Sequence, residues 1–477
     1  MFRHLLDLKS SPPSPGGIRE VWRIAAPIII SMASLTIMQF CDRIFLARYS
    51  SVALRAALPA GALAFTLTTF FQSLAGFTGT FVAQYHGARR KLECTRSTEQ
   101  GIWLALLSWP LGMALIPVGY GVLGMARHAP DVYEAEKIYL LISMLGCGVF
   151  SLNNAISGFF SGRGDTRTPM AVNMAASAAN IVLDYAMIFG KWGFPEWGIA
   201  GAAIATITSC GLGVLLLLAI YWRKRFREEY ATWPLRRPAR AYMGPLLRYG
   251  IPNAIHAVQD IGAFALFVVL LGRLPDADVA ASTIAFSINN IAFMPLLGMG
   301  MASTILVGQY QGARNSAIAQ KVGYSALKVG WGFMAVLALS FLLFPRMYLS
   351  LFTGDAEGLV SLDEVIDKGR WLLVMMGVWG MVDVINIVIA GALKGAGDTR
   401  FTLLYALVMV WLIWMPGEFL LVLYFNVGLI PAWVYMTLFT FLFAVGYGLR
   451  WRWGCWKRIE MIQSGQRAEP VPEAEGV

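Results

Sequence analysis

Five acidic residues fall inside long apolar stretches of this chain, Asp42, Asp184, Asp260, Asp383 and Glu418, with His256 as a further titratable group. An ionisable side chain at the centre of a membrane helix costs at least ~2.5–3.5 kcal/mol, so each one requires a reason. Asp42, Asn180, Asp184 and Thr206 are expected at similar depth, with Asn180 and Asp184 one helical turn apart. Two carboxylates, an amide and a hydroxyl supply oxygens for a hard cation such as Na⁺. Two neighbouring carboxylates also suit a shared proton, so the chemistry is reversible cation binding, by Na⁺ or by H⁺. A structural alternative pairs Asp42 with Arg43 or Arg48, which can snorkel outward; Asp184 has no such neighbour in sequence. Asp260 and Asp383 form a second candidate pair near the middle of their spans. His256 precedes Asp260 by four residues and shares its face, as a hydrogen-bond partner or as a proton relay. Asn153, Asn154, Asn289, Asn290 and Asn386 either line a substrate cavity or glue helices together. Glu418 is a further cavity candidate.

The elements that hold these residues must be membrane helices. The chain has 477 residues, 57% hydrophobic and 14% charged, against roughly 25% charged in soluble domains. A hydrocarbon core of about 30 Å needs around 20 apolar residues per helix. Such runs fall near 21–47, 57–86, 98–124, 134–160, 168–190 and 198–222, and again near 245–272, 279–312, 317–345, 368–393, 401–425 and 428–450. The charge of +10 gathers in the segments between runs, which excludes a nucleic-acid stripe and follows the rule that basic loops stay cytoplasmic. Arg89 to Lys91, Arg163, Arg167, the 223–240 segment, Arg314, Lys394, Arg400 and Arg450 to Arg458 fall on that face, and acidic Asp355, Glu357, Asp363, Glu364 and Asp367 on the other. The five cysteines have no zinc spacing and read as small apolar fillers. The proline-broken start MFRHLLDLKSSPPSPGG reads as an uncleaved tail.

The chain also matches itself. VAQYHGAR at 82–89 recurs as VGQYQGAR at 307–314, and Pro27 pairs with Pro252 at the same separation of 225. GRGDTR at 162–167 recurs as GAGDTR at 395–400, with Asn153 pairing Asn386 and Gly158 pairing Gly391 at a separation of 233. Each half holds an even number of helices, so the repeat is parallel about an axis along the membrane normal, an arrangement that sets a cavity between rocking lobes. The expectation is an all-α polytopic membrane protein of twelve helices in two pseudo-twofold lobes. Its parts are a tail at 1–20, an N-lobe at 21–222, a basic linker at 223–242, a C-lobe at 243–452 and a tail at 453–477, with both termini cytoplasmic. The GxGDTR turns read as glycine-flexed turns whose Asp caps the next helix, and Gln84 and Gln309 as backbone partners. The acids do not repeat: Asp42 aligns with Phe267, and Asp383 with Phe150.

The paired GDTR turns, AAPIIISMASLTIMQFCDRIF at 25–45, ANIVLDYAMIFG at 179–190 and GIAGAAIAT at 198–206 together resemble the multidrug and toxic compound extrusion (MATE) family over roughly 20–455. The resemblance implies a V-shaped twelve-helix antiporter, without a cofactor beyond its coupling ion, that exports lipophilic, often cationic, small organic molecules in exchange for Na⁺ or H⁺. It places a cation site on Asp42, Asn180, Asp184 and Thr206, with a second at Asp260 and Asp383, where the family's seventh-helix acid is usually Glu. A monomer in a bacterial-type inner membrane is expected. GxGD also marks intramembrane aspartyl proteases, which need two Asp within the membrane; here both copies run into Thr-Arg at the basic face, so no enzyme is expected. A lipid-linked sugar flippase would favour cationic side chains in its cavity, and only Lys328 is read as mid-helix, which points to neutral or cationic substrates.

Overall fold

The computed structural model describes residues 14–350, 362–425 and 427–462. Twelve spans run through them once each bent helix pair is taken as one. The first lobe holds α1 (Ile18–Tyr49), α2 (Ser51–Gly87), α3 (Lys91–Ala114 continued by Ile116–Met125), α4 (Pro130–Leu145 continued by Cys147–Gly162), α5 (Arg167–Phe189) and α6 (Gly198–Tyr221). The second holds α7 (Arg240–Leu271), α8 (Asp276–Gly312), α9 (Ser316–Leu343), α10 (Leu362–Gly395), α11 (Thr399–Tyr424) and α12 (Leu429–Trp453). The all-helical, two-lobe expectation holds. Helix ends run a few residues past the apolar runs, because the backbone stays helical until a glycine or polar turn stops it. Asp355 and Glu357, together with residues 1–13 and 463–477, lie outside the described residues, whereas Asp363, Glu364 and Asp367 fall in the first turns of α10.

Bends follow from composition. α3 turns by 44° just before Pro117, which supplies no N–H to the preceding turn. α4 turns by 41° between Gly146 and Gly148, and α8 by 42° ahead of Pro295. In α11, π-helical turns at Met409–Trp414 and Leu420–Tyr424 flank Pro416.

The described segments that flank the two lobes, at Gly16 and at Ile459 to Met461, share one face with the linker and both GDTR turns, called here the basic face. Close to it the lobes are fused: Val21, Ile24, Ala25 and Ile28 of α1 join the C-lobe core with Leu296, Met299 and Ala302. Farther away each lobe keeps its own apolar cluster, around Leu46, Ala53, Ile188 and Ala202 in one and around Phe267, Leu271, Trp414 and Trp433 in the other. The linker is anchored rather than loose. It carries a short helix, Lys224–Tyr230, and Arg236 bonds Glu99 at 3.0 Å while its carbonyl accepts from Trp103 Nε1 at 2.9 Å. Arg163 of the first GDTR turn lies 4.6, 4.6 and 4.7 Å from the rings of Phe159, Phe226 and Tyr230, which ties that helix to α4.

Candidate functional site: intramembrane acids and an interlobe clasp

The N-lobe acids meet because α1 and α6 both pack on α5. Asn180 and Asp184, one turn apart on α5, are fully buried. With its amide turned so that both ends are satisfied, Asn180 donates to Asp184 Oδ2 at 2.9 Å and accepts from the backbone N–H of Thr206 at 3.3 Å. Asp42 on α1 lies within electrostatic reach of Asp184, and its Oδ1 is buried without a hydrogen-bond partner. Among the described residues no ion pair joins Asp42 to Arg43 or Arg48, and the Arg43 side chain is exposed. Thr206 gives its hydroxyl proton to the Ala202 carbonyl at 3.0 Å, which leaves oxygen lone pairs free. The four residues thus form one oxygen-rich cluster. Sequence reasoning missed Tyr139 of α4, whose phenol interacts electrostatically with both Asp42 and Asp184; one tyrosine among many carries no pattern that would mark it.

In the C-lobe, His256 and Asp260 of α7 are bonded, Nδ1 to Oδ2, at 2.9 Å. His256 Nε2 lies 3.2 Å from the Tyr447 hydroxyl of α12, which donates to the Thr402 carbonyl of α11 at 3.3 Å. The Asp260 side chain is 51% exposed, whereas Asp383 of α10 accepts from Asn386 Nδ2 at 3.2 Å. The two acids interact electrostatically.

Lys394 corrects the sequence reading, which grouped it with the basic turn and read Lys328 of α9, an exposed residue, as the one mid-helix cation. α10 continues through Gly395, so Lys394 sits in its last turn, and its Nζ points inward to 3.4 Å from His256 Nδ1. The signal was present: Lys394 is eleven residues beyond Asp383, about three turns, and therefore on the same face.

The cavity candidates divide. Asn154 and Asn290 are exposed, and Asn153 and Asn289 half-buried. Asn386 is buried against Asp383 and the Thr440 carbonyl, a helix-joining position. Glu418 does not line an open cavity: it is 0% exposed, accepts from Trp414 Nε1 at 3.2 Å and leaves Oε2 without a partner. Trp414, which bonds it, stacks on Phe439 of α12 within the buried C-lobe cluster.

The repeated motifs build the joint between the lobes. Gln84 of α2 donates to the Gly395 carbonyl at 2.9 Å, and Gln309 of α8 donates to the Gly162 carbonyl at 2.8 Å. These are the same bond applied twice about the pseudo-axis. A Cβ on Gly87 would run into the Gln309 carbonyl, and one on Gly312 into that of Gln84, so the glycines of GQYxGAR are required by close approach. The two Asp residues of GDTR differ. Asp165 caps α5, accepting from the Thr168 N–H at 3.2 Å and hydroxyl at 2.7 Å. Asp398 makes no cap bond and instead pairs with Arg450 of α12 at 2.8 and 3.3 Å, so only the first copy acts as the capping reading expects.

The MatE family model matches residues 27–186 and 252–420, which takes in the acids of both clusters, though not Thr206, and both halves of the clasp. A probable multidrug resistance protein NorM from Pseudomonas syringae pv. tomato is 28% identical over 458 residues, covering 92% of this chain and 96% of that protein. The multidrug resistance protein PmpM of Pseudomonas aeruginosa is 28% identical over 408 residues, covering 84% and 83%. A multidrug resistance MATE family transporter solved in an outward-facing conformation superposes with a TM-score of 0.82 at 21% identity, over 93% of this chain and 98% of that one. Its likeness is one of fold. With the family match spanning both lobes and the fold agreeing throughout, this chain belongs to the MatE family of membrane transporters.

Proposed function

We propose that the chain is a secondary antiporter that exports lipophilic, cationic organic molecules in exchange for Na⁺ or H⁺ by rocking one lobe against the other. The N-lobe cluster carries this reading. Two carboxylates, one with an oxygen that has no partner, sit within a lobe beside neutral oxygens and without an ion pair. Such a site is costly to keep unless a cation enters and leaves it. The half-exposed carboxylate of Asp260 gives an organic cation an attractive wall. The names of the curated relatives, multidrug resistance proteins, favour drug export over other cargo. By the Arg and Lys bias the basic face is cytoplasmic, with both termini inside a bacterial-type inner membrane. The clasp then closes the cytoplasmic side, and the chain works as a monomer with its coupling ion alone.

The test is transport by the purified protein in liposomes, following an ethidium-like cation under an imposed Na⁺ or pH gradient. Gradient-driven accumulation is expected, together with loss of coupling in Asp42→Asn and Asp184→Asn proteins that express and fold normally. Dye movement indifferent to both gradients refutes antiport; unchanged coupling in both variants removes the N-lobe site from the mechanism.

A further inference from the structure

A lysine in the last turn of a membrane helix ordinarily snorkels to the nearby interface. Lys394 does the reverse, and its ammonium reaches 3.4 Å from His256 Nδ1, the same nitrogen that contacts Asp260 Oδ2 at 2.9 Å. Hydrogen-bond accounting limits what that nitrogen can do. Tyr447 spends its proton on the Thr402 carbonyl, so His256 Nε2 acts as donor to the Tyr447 oxygen. The 2.9 Å contact of Nδ1 with the Asp260 carboxyl oxygen then calls for a proton shared between those two atoms, so Lys394 is held beside the His256–Asp260 pair by its charge rather than as the donor to a free Nδ1. The charged and titratable groups that meet here are Asp260 and His256 from α7, Asp383 and Lys394 from α10, Tyr447 from α12, and Tyr405 from α11 behind it. Two carboxylates that act on each other thus share one permanent cation, Lys394, which acts directly on Asp260.

The N-lobe differs at that point. Asp42 and Asp184 meet neutral Asn180, Thr206 and Tyr139, and the cation that acts on Asp42, its neighbour Arg43, is exposed; at the repeat separation of 233 the counterpart of Lys394 is Ser161, whose hydroxyl is spent on the Ser157 carbonyl at 2.8 Å. Both lobes hold two carboxylates; among the described residues only the C-lobe turns a lysine inward beside them.

We infer that Lys394 is a tethered counter-cation of Asp260 and Asp383 that excludes Na⁺ from the C-lobe and leaves the N-lobe as the place where a metal coupling ion binds. The inference rests on the reading of these acids as cation sites. A fixed unit charge about 5–6 Å from a bound Na⁺, at an effective dielectric of about 20, weakens binding on the order of 100-fold. With Lys394 in place, one further positive charge neutralises the C-lobe pair, and an organic cation or a proton can supply it.

The experiment measures Na⁺ binding to the purified full-length protein by ²³Na NMR titration, without requiring transport. In an Asp42→Asn, Asp184→Asn background no saturable site is expected. Adding Lys394→Met should create a saturable one that a further Asp260→Asn abolishes, while Lys394→Arg should leave the protein without it. Should the Met variant not fold, Lys394→Gln keeps a polar side chain without the charge and serves in its place. Asp260-dependent Na⁺ binding with Lys394 intact overturns the inference, as does a folded charge-free variant that gains none. Failure of the antiport reading shows separately, as a chain with both clusters intact that binds neither Na⁺ nor dye.

Discussion

Replacing Gln84 and Gln309 together by alanine should open the basic face. The turns leave the two acceptor carbonyls to the glutamines: the N–H groups of Gly164 and Asp165 go to Ser161 and Phe160, and those of Gly397 and Asp398 to Lys394 and Leu393. Gly162 and Gly395 thus depend on the opposite lobe at 2.8 and 2.9 Å. Each bond contributes about 1 kcal/mol net, and stranding a buried carbonyl costs up to about 1–3 kcal/mol. That cost falls only on the clasped state, because water reaches the same carbonyls once the lobes part. The double variant should therefore lose about 2–4 kcal/mol of preference for the clasped state, a population shift of some 30-fold at the lower end. Spin labels at Arg167→Cys and Arg400→Cys, exposed positions that the repeat relates, report the gap by pulsed electron resonance in a background with the five native cysteines replaced. A longer-distance population should appear in the double variant and in part in each single one. A distribution identical to that of the parent refutes the clasp as a conformational determinant.

Gly87→Ala and Gly312→Ala place a methyl against a carbonyl of the other lobe and should lengthen the same distance, each at least as far as a single glutamine variant does. Asp398→Asn breaks a part-buried two-point pair with Arg450 and should cost about 1.5–3 kcal/mol. Asp165→Asn, which keeps a capping side chain, should cost well under about 1 kcal/mol. Thermal unfolding followed by tryptophan emission separates the two, and equal shifts would contradict the assignment of different roles. Arg163→Ala removes a guanidinium packed among Phe159, Phe226 and Tyr230 and should free the linker, seen as faster tryptic cleavage at 223–227; an unchanged cleavage rate would mean that Arg236 and Trp103 alone hold it.

What the sequence made legible follows from how each feature is encoded. Span number and the parallel repeat are written in runs and motifs that recur at fixed separations, and the folded chain keeps them with shifted ends. The N-lobe cluster was legible because its members are rare residue types for membrane helices, with Asn180 and Asp184 already one turn apart. Lys394 was misassigned because a lysine beside a basic turn fits the loop rule as well as it fits an inward-turned side chain, and only the packing of α10 on α12 and the approach of Lys394 to His256 of α7 distinguish the two. Glu418 shows the opposite limit. Its position in a span marked it as unusual, but whether its carboxyl meets an open cleft or is buried on Trp414 depends on tertiary packing that residue spacing does not carry. The two Asp residues of GDTR read identically, yet only the second finds an arginine, since Arg450 comes from α12.

The symmetry of the clasp and the asymmetry of the charges bear on how such a machine is driven. Gln84 and Gln309 make equivalent bonds about one axis, so parting the lobes breaks both, and neither lobe can swing free while the other half of the clasp holds. The charges divide the work differently. The N-lobe cluster has carboxylates whose neighbouring cation, Arg43, is exposed rather than turned among them, so a cation arriving there would change the cost of leaving those groups buried. In the C-lobe, Lys394 already offsets one carboxylate, and the half-exposed Asp260 is the acid an incoming organic cation would meet. Ion binding in one lobe and substrate binding in the other can then bias the same two-bond joint. Exchange needs no contact between the two ligands, only that each prefers a different state of the clasp.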